Sequence, residues 1–409
     1  MKTTKPYVPS KKILENYANV LVNFALGHGK GIKKGDTVIV QMSEAAKPLY
    51  AEIMAAIWKA GGHIISRYTA DNEPWFNFDK AFYEHVKDHQ LDFFPHHFMK
   101  GMIDQADHSI YIESETDKKS LQGVDPKKMM RRGEAFKPVR QWTKEKENNG
   151  KYTWTIGLYG TPAMAKEAGL SEKDYWQQII KACFLDVKDP VAEWKKVYKE
   201  MESYRMKLNK LDIQKLHIEG EDVNLWIDMG EKRQWVAGGG ANIPSFELFT
   251  SPDWRGTEGW IRFNQPLYMY GNLVTGIELE FKGGKVVKSK AKTNEKVLKS
   301  MIATLNADKV GEFSLTDKRF SRITKFMAET LFDENIGGPF GNTHIALGSS
   351  YHEAFTGDRT KPSKKDWADL GFNDSSVHTD IISTTDRTVT AYLKNGKEKV
   401  IYKSGQFQL

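Results

Sequence analysis

The chain has 409 residues, 40% hydrophobic and 12% aromatic, which is enough for two packed cores rather than one. Its 60 basic and 53 acidic residues leave a formal charge of +7 with no long basic run among aromatics, which argues against nucleic-acid binding. One cysteine rules out an intrachain disulfide, and with neither a signal-peptide core nor the ~20 apolar residues of a membrane span, a cytoplasmic location without membrane contact is expected.

In chain order, Ser10 as a cap and Ile13, Tyr17, Leu21 and Phe24 at helical spacing predict a helix over 10–26. The glycines of GHGKG (27–31) end it. They follow a helix and precede a strand, the reverse of a dinucleotide loop, so they predict a helix C-cap rather than a phosphate site. DTVIVQM (36–42), a helix over 46–60 and HIISRYT then form a β-α-β unit. SIYIE (109–113), a helical segment at 125–133 and YTWTIGLYG (152–160) continue the alternation, which calls for a parallel sheet. Two helices follow at 171–184 and 189–211, the first placing Cys183 as a small buried hydrophobe. From residue 213 the strands come as hairpins, the last with an Asn395-Gly396 turn. The expected organisation is an α/β N-terminal domain over 1–212 and an α+β catalytic domain rich in antiparallel strands over 213–409. GGG (238–240) fits either a close approach of backbone to a ligand or a flexible connection.

Chemistry gathers in the second half. His378 and Asp380 stand two apart in FNDSSVHTDIIST, so an extended strand presents imidazole and carboxylate on one face. Glu247 and Glu312 each lie among apolar neighbours, where a carboxylate is costly to bury unless it is charge-paired or metal-bound. DENIGGPFGNTHIALGSSYHEAF adds Asp333, Glu334, His344, Tyr351, His352 and Glu353. A carboxylate-rich set with two imidazoles suits a pair of divalent ions better than a closed structural zinc site. The N-terminal histidines, such as His63, His96 and His97, show no carboxylate partner pattern and read as surface or core residues.

Several ordered motifs, running almost end to end, make the chain resemble the thermophilic metallo-aminopeptidases. They include ENYANVLVNFALGHGKGIKKGDTVIV, NIPSFELFTSPDWRGTEG, GEFSL, LFDENIGGPFGNTHIALGSSY and NDSSVHTDI. The resemblance implies N-terminal cleavage of short peptides by a homodimer using two divalent metal ions, cobalt or zinc, with manganese and magnesium as further candidates. It makes Glu247, Glu312, Glu334, His344, His378 and Asp380 the metal ligands. Glu312 or Glu334 would be the general base, and Tyr351 a ligand or an oxyanion donor. Phe246, beside Glu247, is expected to shape the pocket wall, and IGGPFGNT to loop out so that Glu334 and His344 converge. His352 and Glu353 fall outside the motif and read as surface residues. Rival readings are a non-catalytic peptide- or metal-binding protein and a dinuclear phosphoesterase.

Overall fold

The computed structural model describes residues 6–73 and 75–409. Ser10 caps the first helix, Lys11–Val20, its side chain accepting from the Ile13 N–H. The helix continues through a π turn, Leu21–Ala25. It stops where Gly27 and His28 enter the left-handed region, at φ 65° and 55°. The glycine run is thus a helix terminus, as its position between helix and strand requires.

Four parallel strands follow: β1 (Thr37–Ser43), β2 (His63–Thr69), β3 (His108–Glu113) and β4 (Thr153–Leu158), in the order β2-β1-β3-β4. Helices Lys47–Lys59, Pro126–Ala135, Glu172–Ala182 and Pro190–Asn209 lie at the expected places. Phe78–His85, His96–Gln105 and Lys137–Asn148 are additional helices. Phe78–His85 and Lys137–Asn148 bury no residue, so their apolar periodicity is weak, while His96–Gln105 carries only the short stripe Met99, Met102 and Ile103. Cys183 is fully buried, as expected, and burial pushes its thiol far up. His108 corrects the reading of the N-terminal histidines: its Nε2 meets Asp36 at 3.0 Å and its Nδ1 meets Thr153 at 2.7 Å.

Beyond residue 213 every strand pairing is antiparallel. An eight-stranded sheet runs, in spatial order, through Lys285–Lys290, Glu278–Lys282, Asp253–Arg262, Val223–Asp228, Ile213–Gly220, Thr388–Leu393, Glu398–Lys403 and Gln406–Phe407. A five-stranded sheet runs through His378–Ser383, Asn342–Gly348, Val310–Thr316, Glu247–Thr250 and Val236–Ala237. The Asn395-Gly396 turn forms as predicted, with Gly396 at φ 78°.

The two sheet systems share one continuous core. Trp194, on the long helix, stacks on Phe246 with ring centroids 5.4 Å apart. Phe246 is therefore core and does not shape the pocket wall. β4 meets the 241–243 segment through Ile156 N–H to Ala241 O and Ile243 N–H to Ile156 O, both 2.9 Å. The GGG run packs closely: a Cβ at Gly240 would lie 2.4 Å from Ala25 O, while Gly238 and Gly239 line a cavity.

Candidate metal centre

The register of the five-stranded sheet assembles the site. Ala346 pairs with Asp380 and with Glu312; Ser314 pairs with His344 and with Phe249; Thr316 pairs with Glu247. Directly paired residues share a face, as do residues two apart on a strand. Glu247, Glu312, His344, His378 and Asp380 therefore all project from one side of the sheet. The small side chains of Ala346 and Ser314 stand among them and leave room. Gly311 sits at a register shift in its strand, where a Cβ would come within 2.4 Å of Ser349 O.

The donors are close and shielded. Glu247, Glu312, Glu334 and His344 are 6%, 4%, 5% and 2% exposed. His344 Nε2 lies 3.3 Å from Glu247 Oε2, 3.3 Å from Glu312 Oε1 and 3.8 Å from Asp380 Oδ1. His378 Nε2 lies 3.5 Å from both Glu312 Oε2 and Asp380 Oδ1. The two oxygens of Glu312 thus face different imidazoles. His378 Nδ1 lies 2.8 Å from the Ser349 carbonyl, a contact that turns Nε2 toward the carboxylates. Ser314 donates to Glu247 Oε2 at 2.7 Å.

Glu334 arrives from outside the sheet, just past the short helix Thr330–Asp333. Asn242 Nδ2 donates to its Oε1 at 3.0 Å. The 335–341 segment loops out as expected and returns, with Asn342 Nδ2 donating to Asp333 O at 2.8 Å. Lys118, only 7% exposed, reaches across from the parallel-sheet half to Glu329 at 2.7 Å and also pairs with Glu115. Since Glu329 caps that short helix, Lys118 fixes the approach of Glu334.

Electrostatics test whether cations fit here. Burial, with help from Glu312 and Asp380, lifts the Glu247 carboxyl to about 7 despite His344. Burial, then Asp380, Glu247 and Glu312, pushes Glu334 well above the carboxylate range. Burial works against a charged His344, yet the hydrogen bond to Glu312 and the charges of Glu247 and Asp380 raise it to about 9. His378 is likewise raised by Asp380 and Glu312 against its burial, and against its own burial Asp380 is held low by His378 and His344. Three triads, each able to bring one donor atom per residue within 4.8 Å of the others, are Glu247/Glu312/His344, Glu312/His378/Asp380 and Glu334/His344/Asp380. Oxygen-rich sets with one or two imidazoles suit borderline divalent ions.

Tyr351 packs its ring on His378 at 4.7 Å, and burial followed by Glu312 and Asp380 drives its hydroxyl well up, so it stays a donor. The surface reading of His352 fails. Its ring stacks on Trp367 at 3.7 Å and bonds Asn148 Nδ2 at 3.0 Å, while Glu353 lines the cavity beside Arg359 at 3.4 Å. Burial, then Lys144, Arg359 and Arg233, lowers His352 to about 2. It is neutral in the fold and charged when unfolded at mild acid, so its contribution is complete above pH ~6.5 and falls away below it. His352→Gln is expected to remove about 2 kcal/mol of the stability lost between pH ~6.5 and ~4.5. Denaturant titrations of both proteins at the two pH values check this.

Two cavities open from the cluster, sharing Trp154, Asn242, Glu334, Tyr351, His378 and Asp380. The smaller has a volume of about 230 Å³ and the larger about 580 Å³. Sequence reasoning missed what the N-terminal half adds to them, namely Trp154, Glu147, Arg140 and Glu113. No local pattern marks those residues, because only the packing of the halves brings them to the cluster.

Four buried side chains and two half-buried ones that could hold metal ions gather on an α/β-plus-antiparallel scaffold, at the junction of the two sheet systems. The description "Thermophilic metalloprotease (M29)" matches residues 10–407. Aminopeptidase T of Thermus aquaticus is 30% identical over 72% of this chain and 75% of its own length. Aminopeptidase PepS of Streptococcus thermophilus is 26% identical over 97% and 98%. The solved structure of wild-type AmpT from Thermus thermophilus superposes with a TM-score of 0.80 at 24% identity, covering 98% of this chain and 100% of that one. The chain belongs to the M29 thermophilic metalloprotease family.

Proposed function

We propose that the protein is an aminopeptidase that removes single N-terminal residues from short peptides at a two-metal centre. The observation that carries this is Glu312, whose two oxygens face His344 and His378 separately, the arrangement a carboxylate shared between two ions requires. Glu247 and His344 complete one side of the set; His378 and Asp380 complete the other. Two divalent ions, when bound, supply Lewis-acid polarisation of a carbonyl and a water of lowered pKa.

The protein's own groups have separable roles. Glu334 lines both cavities and so faces the scissile bond wherever it lies between them; ionised by the charge of bound cations, it would serve as the proton acceptor, with Asn242 holding its orientation. Tyr351 also lines both cavities and keeps its proton, so its hydroxyl donates to the oxygen that becomes negative. Trp154 forms part of both walls and restricts water around the cluster. Cobalt or zinc as the ions, homodimeric assembly and a cytoplasmic location belong to this reading on family resemblance; among the described residues no helix is long and apolar enough to cross a membrane.

Leucyl p-nitroanilide, its N-acetyl counterpart and a p-nitrophenyl phosphodiester test the reading side by side. Hydrolysis of the first alone is the expected result. Equal cleavage of the acetylated compound would remove the exopeptidase assignment, and phosphodiester turnover would favour a phosphoesterase.

A further inference from the structure

The two cavities differ in chemistry as well as in size. The smaller carries aromatic walls from Tyr152, Trp154, Tyr198 and Phe249. The larger is lined by Met129, Met130, Leu267, Met269 and Tyr270, with acidic groups at Glu113 and Glu329. A peptide held by its free amine at the cluster sends its first side chain one way and the rest of its chain the other. Only the larger space has room for several residues.

Arg140 is the only lysine or arginine among the described residues that line this larger cavity. It projects from the helix Lys137–Asn148 and remains exposed. Its guanidinium has no hydrogen-bonding or ion-pair partner among the described residues. The nearby arginines are engaged: Arg131 with Asp88 and Asp92, Arg132 with the carbonyls of Leu91 and Phe93. Of the acidic groups near it, Glu134 forms no ion pair with it among the described residues, and Asp374 is taken by Lys137 at 3.2 Å and Lys364 at 3.9 Å.

We propose that Arg140 anchors the C-terminal carboxylate of a short peptide whose α-amine sits at the metal cluster, a specificity role that rests on the aminopeptidase reading above. The guanidinium fork matches a carboxylate in bidentate geometry, and it is less strongly hydrated than an ammonium group. Glu113 and Glu329 are acidic side chains, Glu329 already paired with Lys118, and neither offers a cation to a carboxylate, so the terminus has one basic group to meet. The separation of cluster and anchor then selects peptide length, since each extended residue spans at most ~3.3–3.6 Å.

The test compares leucyl dipeptides, tripeptides and pentapeptides as free acids and as C-terminal amides, using the metal-loaded protein and its Arg140→Gln and Arg140→Lys variants. For the length that fits, kcat/KM of the native protein should favour the acid by about 10-fold or more, mainly through KM. In Arg140→Gln the acid-to-amide ratio should fall to about one, and Arg140→Lys should keep part of the preference. Added salt should lower the native ratio, because the anchor is exposed. Equal native rates on acids and amides at every length would overturn the anchor while leaving the aminopeptidase reading intact. So would an Arg140→Gln loss that strikes both forms alike, with the ratio unchanged. Failure to release leucine from any substrate would overturn the aminopeptidase reading and the anchor with it.

Discussion

Glu312→Ala is expected to abolish turnover and to lower the occupancy of both metal positions in a folded protein. Glu312 is 4% exposed and stands between two imidazoles, at 3.3 Å from His344 and 3.5 Å from His378. Removing a group that only orients a ligand commonly costs ~10–100-fold in metal affinity or activity. Glu312 is read as a ligand to both ions, so its loss should exceed that range, to about 1,000-fold or more in kcat/KM. The cavity left is polar and lies next to Ser314 and Ala346, so the strand should persist, and unchanged circular dichroism would establish that. Glu247→Ala, by contrast, should deplete one ion only, because Glu247 approaches His344 alone among the imidazoles. Anomalous scattering from crystals of each variant reads the two occupancies. Full occupancy at both positions in Glu312→Ala would remove it as the shared ligand and pass that role to Asp380, which also faces both histidines.

Metal withdrawal should be the other large effect. Carboxylates dominate the donor set and hold divalent ions less tightly than thiolates do, so a chelator should reduce turnover to background and cobalt, zinc or manganese should restore it. Stability should follow occupancy, because a ligand at ~100 times its dissociation constant stabilises by about 2.7 kcal/mol. The effect has a sign in pH. In the metal-free protein Glu247 is raised to about 7 and His344 to about 9. Groups whose folded values are raised favour the fold below their unfolded values and lose that contribution as pH climbs through the folded ones. Cations must displace those same protons, so affinity rises over the same interval. The melting-temperature gain on adding metal should therefore grow from pH ~6 to ~9. A gain that stays constant or shrinks would mean that the ions bind elsewhere. Unchanged leucyl hydrolysis after verified metal removal would rule out a metal-dependent reaction altogether.

The relation between sequence and structure is uneven in an instructive way. Local chemistry was legible wherever a backbone period or a terminus decides the matter. The spacing of His378 and Asp380 places both on one strand face, because alternation is a property of extended backbone itself. The glycines after the first helix had to end it, and the β-α-β order had to give a parallel sheet, since short connections leave few alternatives. The oddity of Glu247 and Glu312 was also visible, as charges in apolar surroundings call for partners. What those partners are was decided by register. One residue of slip between Val310–Thr316 and Asn342–Gly348 would turn Glu312 and His344 to opposite faces, and nothing local to either strand specifies that pairing. The burial of Phe246 against Trp194, the stacking of His352 on Trp367, the reach of Lys118 to Glu329 and the place of Arg140 on a cavity wall likewise come from packing the two halves together. The sequence by itself determined the donors and the strands that carry them. Tertiary structure alone decided which donors meet, because contacts between residues far apart in the chain arise from the summed burial of a whole core rather than from any short segment.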